Sequence, residues 1–135
     1  MTPRKILIVD DDAHIVLMTK SRLEANGYQV ATADSGVEGI KMAKELKPDL
    51  ILLDMIMPAM EGPDVCQKIK SDNETRHIPI IILTASTKKE IQIKCLKAGA
   101  LVVILKPFNP AELLALMKKA FDPNSKWRKP ESIFN

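Results

Sequence analysis

The chain has 135 residues, which fits one domain that can bury an apolar core without disulfides or a structural metal. Hydrophobic residues make up 46% and charged residues 27%, as in globular proteins, and the scarcity of aromatics (4%) leaves the core to aliphatic side chains. A net charge of +3 is too small to indicate nucleic-acid binding, and neither a secretory leader nor a membrane-spanning apolar run is recognisable, so we expect a cytoplasmic protein.

Five short runs of aliphatic or β-branched residues predict β-strands. They are Ile6–Val9, Gln29–Thr32, Leu50–Leu53, Ile80–Leu83 and Leu101–Leu105. Four of these runs are continuously apolar, as expected for strands that are covered on both faces. The second run is more polar, which suits an edge strand.

Helical periodicity fills the intervals after these strands. In the first helix Ile15, Met18 and Leu23 are predicted to share one face, and Asn26-Gly27 marks its end. Apolar residues with helical spacing continue in the other four intervals. They are Val37, Ile40 and Ala43; Val65 and Ile69; Ile91, Cys95 and Ala98; and Leu113, Leu116, Met117 and Ala120.

Three of these helices carry N-terminal capping signals. Ser35 with Glu38, and Thr87 with Glu90, have the spacing of a capping box. Asn109 precedes a proline and an early acidic residue, an arrangement typical of the first turn of a helix.

The strand–helix unit thus repeats five times, which predicts a parallel sheet with helices on both faces. Such sheets bind ligands at the carboxyl ends of their strands, near the point where strand order reverses. We expect residues 1–122 to form the domain and residues 123–135 a tail, whose basic cluster (Lys126, Arg128 and Lys129) is more typical of a solvated tail than of a binding arm.

The two cysteines, Cys66 and Cys95, are far apart and lack CxxC spacing. Both fall in helix-like segments beside apolar residues. We predict buried or half-buried reduced thiols rather than a disulfide or a metal site.

The residues that follow the strands have the chemistry of a phosphoryl site. Strand one ends in Asp10-Asp11-Asp12, strand three in Asp54, strand four in Thr84 and strand five in Lys106. Converging carboxylates repel each other unless a cation holds them, and Mg²⁺ suits hard oxygen ligands with positions left for phosphate oxygens. An ammonium and a hydroxyl at the same edge would bind a phosphoryl group, and a carboxylate there could accept it as an acyl phosphate.

Four stretches, ILIVDDD, LLDMIMPAMEG, IIILTAS and ILKPF, occur in the order and with the spacing of a known family. Over residues 5–121 the chain resembles the receiver domain of two-component response regulators, of the stand-alone chemotaxis type. The resemblance implies a doubly wound, flavodoxin-like α/β fold with five helices and strand order 2-1-3-4-5.

The resemblance also assigns roles to individual residues. It implies that Asp54 is phosphorylated, and that Asp11, Asp54 and the carbonyl of Ile56 bind Mg²⁺ while Asp10 holds a metal-bound water or lies just behind the metal ligands. Phosphoryl oxygens would contact the Thr84 hydroxyl, the Ala85 amide and the Lys106 ammonium. The bond between Lys106 and Pro107 is a candidate cis peptide.

A receiver of this kind takes its phosphoryl group from the phosphohistidine of a sensor histidine kinase, from a phosphotransfer protein, or from a small donor such as acetyl phosphate. It catalyses only its own phosphorylation and slow autodephosphorylation. Its downstream protein partner usually binds the face formed by helix 4, strand 5 and helix 5. Lysines on that face fit an acidic partner or serve solubility alone: Lys88, Lys89, Lys118 and Lys119. We expect no direct contact with nucleic acid or membrane, and a monomer or weak dimer.

Three positions bear on how the chain departs from the family pattern. Val103 stands where many members have an aromatic side chain that rotates when the threonine moves. Ile56 and Ser86 stand where the family tunes autodephosphorylation, and Ile56 has no side-chain acceptor to align water, which predicts slow hydrolysis.

Alternatives from other classes remain open at this point. The Asp10-x-Asp12 spacing also fits a haloacid-dehalogenase-type phosphatase, which would carry the acyl phosphate on Asp10. A pseudo-receiver would keep the pocket but not use it. A nucleotide-binding enzyme is disfavoured, because no predicted strand is followed by a glycine-rich phosphate loop. The sequence specifies neither the cognate kinase nor the output pathway, and it fits a stand-alone receiver or a fragment of a longer regulator.

Overall fold

The computed structural model of the protein describes residues 3–125, in which five strands alternate with five helices. The strands are β1 (Lys5–Val9), β2 (Gln29–Ala33), β3 (Leu50–Asp54), β4 (Ile80–Thr84) and β5 (Val102–Leu105). The helices are α1 (Ala13–Ala25), α2 (Gly36–Leu46), α3 (Gly62–Ser71), α4 (Lys89–Lys97) and α5 (Pro110–Phe121).

All neighbouring strands are parallel, and their order is β2-β1-β3-β4-β5. This confirms the predicted doubly wound sheet and its strand order. The order reverses beside β1, so the carboxyl ends of β1 and β3 lie next to each other. A crevice at this edge is the expected place for a ligand.

The sheet separates two apolar layers because side chains alternate along each strand. On one face Leu7, Ile51 and Ile82 pack with α2, α3 and α4. On the other face Ile8 and Leu52 pack with α1 and α5. The residues of β3 and β4 are all buried, whereas β2 is partly exposed, as predicted for an edge strand.

Several predicted helix ends are confirmed. The Ser35 hydroxyl accepts a hydrogen bond from the Glu38 amide at 3.2 Å, and the Asn109 side chain accepts one from the Ala111 amide at 2.8 Å. Gly27, with φ of +90°, follows α1 in the left-handed region that glycine adopts without strain.

The predicted cap of α4 is wrong. The helix begins at Lys89, with Lys88 as its N-cap and no side-chain hydrogen bond from that residue. The hydroxyl of Ser86, one residue before Thr87, accepts the Lys88 amide at 3.1 Å. This bond closes a turn ahead of the helix and leaves Thr87 in the loop.

Two residues predicted to face inward lie outside. Met18 is 58% exposed, because the face of α1 that meets the sheet carries Thr19 and Leu23 instead. Val37 is 70% exposed, because α2 turns Gly39 and Ala43 towards β1 and β2. A Cβ atom at Gly39 would lie 2.8 Å from the Val9 side chain, so only a glycine allows α2 to approach this closely.

Both cysteines are free and buried, as predicted. The Cys95 thiol contacts the Met55 sulfur at 3.5 Å, and burial raises the pKa of the Cys66 thiol to about 12. Both thiols stay protonated and covered at neutral pH, and the thiolate is the reactive form.

We therefore expect neither thiol to react with iodoacetamide in the folded protein at pH 8, and both to react after denaturation in urea. Mass spectrometry of the alkylated protein measures this. Rapid labelling of Cys66 without urea would show that the helices covering it open easily.

The last helix ends at Phe121, close to the predicted domain boundary at residue 122. The basic cluster Lys126, Arg128 and Lys129 lies outside the described residues. Among residues 3–125, no helix is both long and apolar enough to cross a lipid bilayer.

Candidate functional site

The carboxyl edge of the sheet brings the predicted acidic residues together. Asp10 directly follows β1, and Asp54 is the last residue of β3, whose neighbour Leu53 pairs with Val9. Carboxylate oxygens of Asp10, Asp11 and Asp54 all lie within 4.8 Å of one another. Asp10 and Asp54 are buried, whereas Asp11 is exposed.

Lys106, which follows β5, reaches across β4 into this cluster. Its ammonium lies 2.6 Å from Oδ1 of Asp54 and 3.4 Å from Oδ2 of Asp10. The other oxygen of Asp10 accepts a hydrogen bond from the Asp12 amide at 2.9 Å. The contact with Asp54 has the length of a strong charge-assisted hydrogen bond, whereas the longer contact with Asp10 is weaker, and the Asp12 amide helps to orient Asp10.

Burial and the neighbouring charges shift the pKa values of Asp54 and Lys106. Burial raises the pKa of the Asp54 carboxyl, and the charges of Asp10 and Asp11 add to this, while the hydrogen bond from Lys106 opposes it. Burial would lower the pKa of the Lys106 ammonium, but its contacts with the two carboxylates outweigh burial and raise it. Lys106 is therefore firmly protonated, and a second cation would relieve the repulsion among the three acids.

Thr84 ends β4, between the strands that position Asp54 and Lys106. Its hydroxyl oxygen is buried and accepts the Ser86 amide at 3.1 Å. Its carbonyl accepts the Lys106 amide at 2.7 Å, which fixes the relative positions of the loops after β4 and β5. Ala85, which directly follows Thr84, is exposed, so a ligand at this edge can approach its backbone.

The bond between Lys106 and Pro107 is cis, as predicted. Ile56 lies in the loop after β3 with its side chain 71% exposed. Two predicted contacts remain predictions: the binding of Mg²⁺ by the Ile56 carbonyl, and the contact of the Ala85 amide with a phosphoryl oxygen. Val103 is half-buried and packs against the core layer that α2, α3 and α4 cover.

A residue that the sequence reasoning missed, Gly62, fixes the loop after Asp54. Its amide donates to the Met55 carbonyl at 2.7 Å. A Cβ atom at this position would lie 2.8 Å from the carbonyl oxygen of Asp54 and 3.0 Å from Cα of Met55. In the sequence the Gly62-Pro63 pair indicates the start of a helix, but it does not predict the close approach of Gly62 to the backbone at the end of β3.

We expect Gly62→Ala to destabilise the fold by about 1–3 kcal/mol, because the methyl group must displace backbone at the end of β3. Lys68→Ala on the exposed face of the same helix is the control, with an expected change within about 0.5 kcal/mol. Urea unfolding of the three proteins measures both values. Equal stabilities would mean that the loop yields to the methyl group at no cost.

Asp12, the third acidic residue after β1, has a structural role. The Asp12 carboxylate accepts the amides of His14 at 3.0 Å and Ile15 at 3.2 Å, and so caps α1. This position argues against the phosphatase reading, in which Asp12 would act together with Asp10.

The donors at this edge fit a hard divalent cation. Three carboxylates within 4.8 Å supply oxygen ligands and excess negative charge, and one of them, Asp11, is open to solvent. Mg²⁺ keeps several waters when bound and needs only a few protein oxygens. The residues present are therefore suited to Mg²⁺.

Comparisons with known proteins place the chain in a family. The family model for the response regulator receiver domain matches residues 6–118. The DNA-binding response regulator MtrA of Mycolicibacterium paratuberculosis is 38% identical over 115 residues, which cover 85% of this chain and 50% of MtrA. The chain thus spans about half the length of this relative.

Solved structures agree with this assignment. Chemotaxis protein CheY4 of Vibrio cholerae superimposes with a TM-score of 0.85 at 32% identity, covering 89% of this chain and all of CheY4 (100%). The receiver domain of sensor histidine kinase PA1611 from Pseudomonas aeruginosa, solved with a magnesium ion in its active-site cleft, gives 0.81 at 29% identity and covers 87% of this chain and 97% of that domain.

The family match, the strand order and the grouping of acids with a lysine at the carboxyl edge lead to one assignment. The predicted resemblance is confirmed, and the chain belongs to the response regulator receiver family, a phosphoacceptor family of two-component signalling.

Proposed function

We propose that Asp54 is the phosphoacceptor, and that Asp10, Asp11, Thr84 and Lys106 serve its phosphorylation. The contact that carries this proposal is the 2.6 Å hydrogen bond from Lys106 to Asp54, made within a cluster of three acids. Lys106 cannot serve as a general base there, because its pKa is raised and it stays protonated. The arrangement suits the binding of an anion beside a nucleophilic carboxylate.

In the proposed reaction an Asp54 oxygen attacks phosphorus in line with the leaving group. The new O–P bond forms as the bond from phosphorus to a histidine nitrogen, or to the oxygen of acetyl phosphate, breaks, and the electron pair leaves with that atom. Catalysis of such transfers is mainly positioning and charge neutralisation. The buried setting of Asp54 supports both effects.

Three groups of the chain would hold the transferred phosphoryl group. The Lys106 ammonium would pair with one oxygen, and the Thr84 hydroxyl and Ala85 amide with others. Asp11, Asp54 and the Ile56 carbonyl would hold Mg²⁺, with Asp10 behind them. When bound, Mg²⁺ would neutralise negative charge on the phosphoryl oxygens.

Phosphorylation would act as a switch through Thr84. The Thr84 hydroxyl oxygen accepts the Ser86 amide, which leaves the hydroxyl proton to be donated to a phosphoryl oxygen, and this new contact would draw the Thr84–Ser86 loop towards Asp54. A shift of this loop would bias an existing equilibrium of the face formed by α4, β5 and α5. Because Val103 replaces the aromatic side chain, we propose that loop movement and not ring rotation transmits the change.

The donor in this scheme is a sensor histidine kinase or a phosphotransfer protein, and the output is a downstream protein that binds the α4-β5-α5 face. The protein would act in the cytoplasm as a monomer or weak dimer. It would have no catalytic role beyond its own phosphorylation and dephosphorylation. Residues 1–122 would form the receiver and residues 123–135 its tail.

The test is to incubate the protein with acetyl phosphate and Mg²⁺, reduce the acyl phosphate with borohydride, and map the modified residue by peptide mass spectrometry. We expect one phosphoryl group per chain, on Asp54. Modification of Asp10 would support the phosphatase alternative. Absence of any acyl phosphate would support the pseudo-receiver alternative.

The exposed Ile56 side chain leads to a prediction about the lifetime of the phosphorylated form. In Ile56→Asn we expect the acyl phosphate on Asp54 to hydrolyse roughly fivefold to tenfold faster than in wild type. The reason is that a carboxamide can align the attacking water through one hydrogen bond of about 1 kcal/mol. The measurement is the decay of phospho-Asp54 after removal of the donor.

Val37→Asn is the matched control, because Val37 is equally exposed, at 70%, and lies on α2. Its decay rate should equal that of wild type. Equal or slower decay in Ile56→Asn would contradict a water-aligning role for this position.

A further inference from the structure

The loop between β3 and α3, residues 55–61, is closed next to Asp54. The carbonyl of its first residue, Met55, accepts a hydrogen bond from the amide of Gly62, the first residue of α3, at 2.7 Å. The Met55 amide donates to the Leu83 carbonyl of β4 at 2.8 Å, and the Met55 side chain is buried. Because both ends of the β3–α3 loop are joined beside Asp54, a displacement of the backbone there moves the loop as a unit.

The buried start of the β3–α3 loop contacts α4. Within α4, which the structure describes in full, Cys95 is the only buried residue. Its thiol lies 3.5 Å from the sulfur of Met55, so the helix packs on the residue that directly follows Asp54. Ile91 and Ala98 pack against the same core layer but are only partly buried. A helix with so few buried side chains can change its position at low cost.

The exposed end of the β3–α3 loop contacts α4 as well. The Lys94 ammonium lies 3.7 Å from a carboxylate oxygen of Glu61, the N-cap of α3. Both side chains are more than half exposed, so solvent and salt screen the pair and it contributes little to stability. Like charges at these two positions would still repel each other. Consecutive residues of α4, Lys94 and Cys95, thus contact the two ends of one loop.

The start of α4 has a separate connection to the site. The Ser86 amide donates to the Thr84 hydroxyl, and the Ser86 hydroxyl accepts the Lys88 amide at 3.1 Å. Lys88 is the N-cap of α4, so its positive charge lies at the helix end where the macrodipole favours anions. This end of α4 is therefore held less firmly than a well-capped helix. The contacts with the β3–α3 loop lie further along α4 and do not involve Thr84.

We propose that the β3–α3 loop transmits a change at Asp54 directly to α4, through the Met55–Cys95 contact and the Glu61–Lys94 ion pair. This inference rests on the proposed acceptor role of Asp54 and adds a second path to the one through Thr84. Since the buried residue of α4 packs on Met55, a movement of the loop moves the helix. Coupling between sites is reciprocal, so a partner that holds α4 in one position would also change the position of the loop beside Asp54.

Hydrogen exchange of the α4 amides, measured by mass spectrometry with and without acetyl phosphate and Mg²⁺, tests the buried contact. Intact mass gives the phosphorylated fraction of the same samples. In wild type we expect phosphorylation to change the exchange rate of α4 by about fivefold or more, the lower end of typical allosteric couplings. In Cys95→Ala, which removes the sulfur contact, the change should shrink to about twofold or less. Cys66→Ala makes the same substitution at a buried position of α3 and should keep the wild-type change.

The ion pair is tested by exchanging its charges. Lys94→Glu places a like charge beside Glu61 and should reduce the change in α4 exchange. The double variant Glu61→Lys with Lys94→Glu should restore it. Lys97→Glu makes the same charge change at an exposed position of the same helix and should behave as wild type. A general loss of stability would not produce this restoration.

A third comparison needs no phosphorylation. Gly62→Ala displaces the β3–α3 loop, since a Cβ atom there would lie 2.8 Å from the carbonyl oxygen of Asp54. Relative to the amides of α1, the amides of α4 should exchange faster in this variant than in wild type. The effect should be smaller when Cys95→Ala is also present, because the loop then has lost its buried contact with the helix.

Phosphorylated wild type with unchanged α4 exchange would overturn the proposal. A change that persists in both Cys95→Ala and Lys94→Glu would overturn it too, and would leave Thr84 and Ser86 as the path. If no acyl phosphate forms, the acceptor role of Asp54 fails, and the Gly62→Ala comparison decides whether the loop and α4 are coupled. Equal effects of Gly62→Ala with and without Cys95→Ala would show that they are not.

Discussion

Asp54→Asn should form no acyl phosphate with acetyl phosphate and Mg²⁺, yet fold as well as wild type. An amide nitrogen and oxygen cannot make the carboxyl–phosphoryl bond, and Asp54 is the carboxylate that contacts Lys106 most closely, at 2.6 Å. The other two acids of the cluster remain in this variant. The measurement is the intact mass after incubation with the donor.

The same variant should be more stable than wild type in metal-free buffer at neutral pH. The pKa of Asp54 is raised above its usual 3.8, so the folded state binds this proton more tightly than the unfolded state. Stability from this group is complete below pH 3.8 and is lost as the pH rises through the raised value. Asparagine, which is neutral, avoids this loss.

Asp12→Asn makes the same chemical change two residues after Asp10 and serves as the control. The Asp12 side chain caps α1, and asparagine caps helices as well as aspartate does. This variant should be phosphorylated like wild type. Full phosphorylation of Asp54→Asn would remove Asp54 from its proposed role.

Much of the fold could be predicted because the strands are recognisable as short apolar runs. Runs such as Leu50–Leu53 and Ile80–Leu83 are apolar throughout, as expected for strands that are covered on both faces. The site followed from the same reasoning, since every residue after such a strand lies on one edge of a parallel sheet. The order of the strands came from the family resemblance and not from periodicity.

The errors in the helices have physical causes that the sequence does not contain. Residues Ile15 to Met18 are all apolar, so periodicity cannot select the inward face of α1, and contact with the sheet selects Thr19 and Leu23. In α2, Gly39 faces Val9 at close range, and a hydrophobic pattern does not register a glycine as inward. Ser86 and Thr87 have equal capping chemistry, and the turn after β4 uses Ser86.

Lys106→Ala is the second change with a large expected effect. It removes the ammonium shared by Asp54 and Asp10, whose side chains keep only 11% and 1% exposure. We expect a loss of about 2 kcal/mol in metal-free buffer, less than for a fully buried pair because the side chain of Lys106 is 17% exposed. Acyl-phosphate formation should slow by roughly 10²-fold, as for loss of one preorganised charge partner.

The response to Mg²⁺ separates the role of Lys106 in the site from a general structural one. In wild type the ammonium already offsets part of the negative charge of the three acids, so added Mg²⁺ should raise the melting temperature more in Lys106→Ala than in wild type. Lys97→Ala, a loss of one exposed lysine on α4, should show the wild-type response and rate. A Lys106→Ala protein that is phosphorylated at the wild-type rate would mean that the ammonium orients the acids without contacting the phosphoryl group.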